Sequence, residues 1–428
     1  MRTTPWQKEL LLLLPLVLFA PALGPARAQG GTPPDTSIAR GITAGEADAD
    51  MERRNVLSAL HFKLGFTTLR IGGGVLVDYI GYDQDSASRE QFPNLASQGK
   101  LRDARVLFGG TFNTNRPFSW QIGVMYDAAQ KKWLFRQTGL MVAVPEIWSH
   151  FFVGRAKEGF SLNKVMVGYD GWSMERLPFG DATIPLLADG IKWLGLTPDR
   201  HWFWNFGAFT DWLSEGQTFS SYNNQIVLRA GWVPLVSDSV GTLLHLGMNF
   251  RVGDVNNDSL LLRSKPEAFP APYFINTGTF PAQNGMTLGP EIYFRPGRVL
   301  VGGEYYWEKT HSELGTNWFN GGEVVATWNT TGEVRTYNTV GNYFRGITPL
   351  KTVIQGGSGG FETVLKVSYS NLTNGAIQGG TLWRVTPMLN WYMSDNLRLE
   401  FAYGYGVLKR FGLLGRTQFY QARMQLEM

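Results

Sequence analysis

The feature that most constrains this chain is a period-two alternation of apolar and polar side chains, which begins near Phe66 and continues to the C-terminus. In the stretch 241–252 every second residue is large and apolar, and His245, Asn249 and Arg251 lie between them. The same alternation recurs in later stretches: 361–370, 397–405 and 418–428. Successive side chains of a β-strand point to opposite faces. The pattern therefore predicts strands with one apolar face and one polar, partly charged face.

About sixteen such segments follow one another after residue 66 without helical patterns between them. Short turns join some of them, and longer polar insertions interrupt the others: 83–100, 267–285 and 331–360. Short turns at one end and long loops at the other are typical of outer-membrane barrels. We therefore predict an all-β fold, a transmembrane antiparallel β-barrel of about sixteen strands. The alternative is a soluble sandwich or propeller, in which the apolar face would be buried.

Composition supports the barrel over a soluble enzyme. The 428 residues include 51 glycines, 14% aromatic residues and only 17% charged residues. A high content of glycine and aromatic residues with few charges is typical of barrels with many turns and with aromatic girdles at the membrane surfaces. Large aromatic residues at predicted strand ends fit such girdles: Trp232, Tyr305, Trp307, Trp391 and Tyr403.

The N-terminus has the features of an export signal. Arg2 and Lys8 precede an apolar run, and Ala26 and Ala28 provide the small residues that a signal peptidase reads. We expect residues 1–28 to be a signal peptide, 29–55 a flexible periplasmic leader and 56–428 the barrel domain. An uncleaved anchor is the alternative. The lack of cysteine suits export, and the expected location is the outer membrane of a Gram-negative-type bacterium.

Charge and motifs exclude several function classes. The formal net charge of +4 is too small to indicate nucleic acid as a partner. None of the five histidines lies in a spaced metal or nucleophile motif. We therefore expect no enzyme activity and no cofactor. The partners expected are small anionic or neutral solutes and outer-membrane lipid, and a barrel hydrolase remains a distant alternative.

Arginine and lysine side chains on the predicted inner face are the candidate functional residues. Rings of such cations lower the barrier for anions in a pore. The pore-lining candidates are Arg105, Arg251, Arg298, Lys366, Arg384, Arg398 and Arg423. Neighbouring glutamates, including Glu362 and Glu400, share these faces. Each cation could therefore be a solvated or carboxylate-paired wall residue instead.

The stretch 154–180 is the segment that looks least like a strand. It is glycine-rich and carries two cations, Lys164 and Arg176. We expect the barrel to surround this stretch, which would narrow the channel from inside.

The sequence resembles the phosphate-selective porin O and P family. The resemblance is carried in order by IGGGVLVDY (71–79), LRDARVLFGGTF (101–112), VGRAKEGFSLNK with SMERLPF (153–179), GGEVVATW with TGEVRTYN (321–338), GGSGGFETVLKVSYSNL (356–372) and LNWYMSDNLRLEFAYG (389–404). It implies a sixteen-stranded outer-membrane channel that assembles as a homotrimer, with the stretch 154–180 folded inward beside an anion site. By the same resemblance Lys164, Arg176 and Asp127 match residues of that site.

Several positions depart from the family's pattern. Val167 and Gly168 stand where two phosphate-binding serines would be. Gly74 and Asp103 stand where the family has wall arginines, although Arg102 and Arg105 remain. The expected function is thus a weakly anion-preferring diffusion channel for small solutes, with part of the phosphate site replaced. The alternative is a barrel with a plugged lumen that acts as an adhesin or scaffold through the loops 83–100 and 331–360.

Overall fold

The structure is a computed structural model that describes residues 60–116, 118–127, 131–210, 222–237 and 241–428, the side chain of Asp127 excepted. The expected signal peptide, the leader and the first residues of the predicted barrel domain lie outside these ranges.

A closed antiparallel barrel dominates the fold. The main sheet has 17 strands, of which the short strand His61–Lys63 only pairs with the start of the first barrel strand. The other sixteen form the barrel and are β1 Thr68–Gln84, β2 Gln98–Thr111, β3 Phe118–Asp127, β4 Lys132–Val144, β5 Ser149–Ala156, β6 Ala188–Leu196, β7 Trp202–Thr210, β8 Tyr222–Ser237, β9 Thr242–Val255, β10 Asn284–Pro296, β11 Val299–Ser312, β12 Gly315–Asn329, β13 Gly360–Asn374, β14 Ile377–Tyr392, β15 Leu397–Arg410 and β16 Leu413–Glu427. β1 pairs with β16 over Gly74–Gln84 and closes the barrel, as the alternation predicts.

The segments that connect the barrel strands contain only short helices and short strands. The helices are α1 Ser86–Gln91, α2 Leu162–Val165 and α3 Pro178–Thr183, with 3-10 turns at Pro145–Ile147 and Asn256–Asp258. Two small antiparallel pairs complete the elements: Ser259–Ser264 with Ile275–Pro281, and Tyr337–Asn338 with Tyr343–Phe344. Within the described ranges, no helix has the length and apolar character needed to cross a membrane.

Burial along the strands is the reverse of that in a soluble protein. In β9 the apolar Met248 is 51% exposed, whereas the adjacent Asn249 and Arg251 are 0% exposed. Large apolar side chains are thus presented on the outer face, and polar and charged side chains lie on the inner face. Lipid can solvate the first face but not the second, so this arrangement fits a membrane barrel and not a sandwich.

The two ends of the barrel carry different connections, with one exception to the sequence prediction. In an antiparallel barrel, connections after odd-numbered strands lie at one end and those after even-numbered strands lie at the other. The insertions 85–97, 157–187 and 256–283 follow odd-numbered strands and define the long-loop end. The connection 330–359 follows β12 and therefore emerges at the opposite, short-turn end. The expectation that the insertion 331–360 shares an end with the other long loops is wrong, because the parity of strand order decides the end.

Apolar side chains from the connections pack inside the barrel. Phe160 and Phe179 from the segment 157–187 cluster with Phe274 and Phe280 from the connection between β9 and β10. A second cluster joins Trp172 and Met166 of the segment 157–187 to Tyr343 and Phe344 of the segment 330–359. These two segments are called below the β5–β6 segment (157–187) and the β12–β13 segment (330–359). Both contribute to the packing of the interior and so position the candidate site.

Candidate functional site

The β5–β6 segment is anchored to the inner face through α2. The amide nitrogens of Ser161 and Leu162 donate to Asn249 of β9 and Glu291 of β10, each at 2.8 Å. The Ser161 hydroxyl donates to Glu304 of β11 at 2.8 Å, and also accepts from the Lys164 amide at 3.1 Å as the N-cap of α2. Amides at a helix N-terminus favour carboxylates. The wall carboxylates therefore fix this segment against the inner face.

Three of the wall glutamates form a row across adjacent strands. Glu304 is directly opposite Glu291 of β10 and Glu323 of β12. Like charges in opposed positions destabilise a sheet unless they are compensated. Arg229 lies 2.7 Å from Glu291, and Lys366 lies 2.9 Å from Glu323. The central Glu304 accepts hydrogen bonds instead from Ser161 and Asn163 of the β5–β6 segment and from Tyr306 of its own strand. The β5–β6 segment therefore supplies part of the compensation of this row.

Lys164 lies in α2 and is neutralised within its own segment. Its Nζ is 2.7 Å from the Asp181 carboxylate of α3. Burial lowers the pKa of Lys164 below its ordinary value, and Asp181 opposes that shift. The nearby Arg176 also lowers the pKa of Lys164, so the two cations lie close enough to interact. The positive charge of Lys164 is thus balanced by the negative charge of Asp181.

Arg176 has a different environment. Its Nη2 donates to the carbonyl oxygen of Met166 at 2.7 Å, and the side chain is half-buried. Within the described part of the chain Arg176 forms no ion pair with a carboxylate. Burial lowers the pKa of Arg176, and the carboxylates of Asp181 and Glu175 oppose that shift from a distance, without an ion pair to the guanidinium.

Arg102 and Arg105 of β2 are both paired with acids. Arg102 holds Glu175 of the β5–β6 segment through two hydrogen bonds of 2.6 and 3.0 Å. Burial alone would raise the pKa of Glu175, but Arg102 and Arg423 outweigh it and lower that pKa to about 2. Arg105 is bound by the carboxylate of Asp103 at 3.1 Å. Asp103 thus compensates the arginine two residues away.

Asp127 is the last residue of β3. Its side chain lies outside the described part of the structure, so its predicted place in the anion site stays a prediction.

All the pore-lining candidates except Arg298 lie on the inner face, as the alternation predicts. Besides Arg105, four of them pair with a carboxylate: Arg251 with Glu158 at 2.8 Å, Lys366 with Glu323 at 2.9 Å, Arg398 with Glu400 at 3.1 Å and Arg423 with Asp78 at 2.6 Å. Arg384 instead donates to the carbonyl oxygen of Pro266 and to Gln421, with no carboxylate partner among the described residues. Arg298 is not on the inner face. It lies in the two-residue turn between β10, which ends at Pro296, and β11, which begins at Val299.

The β12–β13 segment carries functional residues that the sequence reasoning missed. Arg335 is 1% exposed and donates two hydrogen bonds to Glu362 of β13, at 2.6 and 2.7 Å. Tyr337 hydrogen-bonds His245 of β9 at 2.8 Å. The available signal was the single arginine in the polar run that precedes Tyr337, but its partner is 27 residues further on and is placed only by the fold.

The two inward segments meet inside the barrel. Arg335 donates to the carbonyl oxygen of Asp170 at 2.9 Å, and the Gly346 amide donates to the Asp170 carboxylate at 3.0 Å. Asp170 belongs to the β5–β6 segment, which enters from the long-loop end, whereas Arg335 and Gly346 enter from the short-turn end. The interior therefore contains a junction between segments from opposite ends.

Comparisons with known proteins agree with this architecture. The family described as "Phosphate-selective porin O and P" matches residues 69–427. An uncharacterized protein of Caulobacter vibrioides is 26% identical over 268 residues, which are 59% of this chain and 52% of that protein, so the chain spans about half the length of this relative.

Solved structures share the barrel at low identity. OmpT of Vibrio cholerae has a TM-score of 0.54 and 10% identity, covering 86% of this chain and 99% of that one. An anion-selective porin from Comamonas acidovorans has a TM-score of 0.51 and 12% identity, covering 85% of this chain and 100% of that one. These likenesses show the fold, and the family match covers nearly the whole barrel. The chain belongs to the phosphate-selective porin O and P family, whose members are porins of the outer membrane.

Proposed function

We propose that this porin is a passive, weakly anion-preferring diffusion channel for small solutes, narrowed by the β5–β6 segment. The observation that carries the proposal is the half-buried Arg176, which bonds to a carbonyl oxygen and lacks a carboxylate partner in the described part of the chain. A guanidinium that faces a channel without a carboxylate in contact attracts anions. Most other inner cations are paired with acids, which keeps the preference weak.

Inorganic phosphate is not expected to be strongly favoured. Val167 and Gly168 have no side-chain donors, and Asp103 places a carboxylate beside Arg105. A carboxylate repels an oxyanion and occupies the guanidinium that would bind it. Asp127 stays a proposed member of the site. We also propose cleavage of residues 1–28, a periplasmic leader at 29–55 and assembly as a homotrimer.

Charge reversal tests the proposed selectivity in planar bilayers. Arg176→Glu is expected to move the zero-current potential under a KCl gradient toward the equilibrium potential of potassium. Lys164→Glu makes the same change of two charge units beside Asp181, its present partner at 2.7 Å, and is expected to shift the potential in the same direction. An unchanged potential in the double variant would refute the role assigned to these cations.

A second candidate function is a barrel with a plugged lumen that acts as a scaffold or adhesin. The burial of inner charges favours it, since Arg251, Glu308 and Lys366 are 0% exposed. The loops 83–100 and 331–360 emerge at opposite ends, so each would serve a different side of the membrane. Swelling of liposomes in small neutral solutes distinguishes the two functions, because only an open channel admits solute.

A further inference from the structure

Tyr169 occupies a fixed position in the β5–β6 segment. Its backbone carbonyl accepts hydrogen bonds from Arg398 of β15 at 3.2 Å and from Gln425 of β16 at 3.0 Å. Its ring lies over the guanidinium of Arg105 of β2, 4.1 Å from the ring centre, and the residue is 3% exposed. The side chain is thus held between two parts of the wall, as a cover over Arg105.

Gly74 of β1 makes room for this ring. A Cβ atom added at Gly74 would lie 2.6 Å from the Tyr169 hydroxyl oxygen and 2.8 Å from two ring carbons. These distances are shorter than van der Waals contact, so any side chain at residue 74 would push the ring away. The position of the Tyr169 ring therefore depends on the glycine at residue 74.

The ring covers a region with excess positive charge. Arg105 and Arg136 share the single carboxylate of Asp103, which lies 3.5 Å from Arg136. In contrast, Arg102 and Arg423 share two carboxylates, Asp78 and Glu175. Counting ion pairs, the first group has one guanidinium more than it has carboxylates, whereas the second is balanced. Glu427 of β16 lies opposite Gly74 and is the next acid near Tyr169. A planar guanidinium binds small oxyanions well.

We propose that Tyr169 is a specificity-determining residue that covers a latent anion site formed by Arg105 and Arg136. The ring shields the excess charge from solutes in the lumen, and Gly74 is the residue that permits this cover. This inference rests on the proposed function as a channel. It predicts that removing or displacing the ring strengthens anion preference.

The test compares Tyr169→Ala, Tyr169→Phe and Gly74→Ala in planar bilayers under a KCl gradient. Tyr169→Ala is expected to raise the chloride-to-potassium permeability ratio about twofold. That is the effect of one charge about 8 Å from each ion in water at about 0.1 M salt, where the screening length is about 10 Å and the charge favours chloride as much as it disfavours potassium. Gly74→Ala is expected to shift the ratio in the same direction, because it displaces the ring. Tyr169→Phe keeps the ring and is expected to match the unmodified protein.

Trp172→Ala is the matched control for widening alone. Trp172 is a buried aromatic residue of the same segment that lies 5.7 Å from the guanidinium of Arg335, and Arg335 has its own carboxylate in Glu362. This variant is expected to leave the permeability ratio unchanged. As a second readout, added inorganic phosphate is expected to reduce the chloride current of Tyr169→Ala at lower concentration than in the unmodified protein.

The outcomes separate this inference from the proposed function. A conducting Tyr169→Ala channel with an unchanged ratio would overturn the inference, as would a Tyr169→Phe channel that shifts equally. If Tyr169→Ala does not assemble, an unchanged ratio in Gly74→Ala would overturn it in the same way. Absence of any conductance in the unmodified protein would instead contradict the proposed function.

Discussion

Arg335→Ala is expected to release the β12–β13 segment from the barrel interior. The Arg335 side chain donates two hydrogen bonds to Glu362 and single bonds to the carbonyl oxygens of Asp170 and Arg345, at 2.9 and 2.7 Å. Removing one partner of a buried ion pair costs about 3–5 kcal/mol, because the other charge stays buried. Glu362 keeps a hydrogen bond of 3.0 Å from Asn390, which favours the lower value. About 3 kcal/mol raises the displaced population about a hundredfold.

Hydrogen–deuterium exchange of the purified protein in detergent measures this release. The expected result is faster exchange of amides in the segment 330–359, with a smaller increase around Asp170, because Arg335 also binds that residue. The double variant Arg335→Ala with Glu362→Gln is the control, since it removes the pair without leaving a buried charge. Unchanged exchange in Arg335→Ala, or equal exchange in the two variants, would refute this account of the segment.

Three further predictions concern the β5–β6 segment and its start. Because the pKa of Lys164 lies below its ordinary value of 10.5, its charge and part of the anion preference should be lost as pH rises toward that value, as measured by zero-current potentials, whereas Lys164→Arg should keep both. Ser161→Ala removes the cap of α2 and its bond to Glu304, and should speed amide exchange over 161–166 through a loss of about 1 kcal/mol. Gly154→Ala, at φ 133° and with its added Cβ overlapping the Thr138 carbonyl oxygen, should lower the yield of refolded barrel on gels. The first prediction is contradicted if the zero-current potential of Lys164→Arg responds to pH as that of the unmodified protein does. The second is contradicted if Ser161→Ala leaves amide exchange over 161–166 unchanged, and the third if Gly154→Ala refolds in normal yield.

The strands and their faces could be predicted from the sequence because lipid and lumen impose a local rule. The alternation in 241–252 correctly places Arg251 on the inner face. The alternation in 418–428 correctly predicts a final strand, which is β16. Each residue's face depends only on its position in its own strand. The number of strands follows from counting these segments.

The interior could not be predicted in the same way, because its contacts join residues far apart in the chain. Glu175 pairs with Arg102 and also with Arg423, 248 residues away. Nothing in the local sequence around Arg335 indicates that its segment enters from the short-turn end. Tyr169 gave no signal either, since its role depends on the absence of a side chain at Gly74.

Single-channel recording of the unmodified protein in planar bilayers under a KCl gradient tests the central claim most directly. The account predicts stepwise, ohmic conductance, with a zero-current potential displaced modestly toward the equilibrium potential of chloride. Absence of conductance steps would contradict the channel. A potential displaced toward the equilibrium potential of potassium would contradict the role of Arg176 and its neighbours in anion preference.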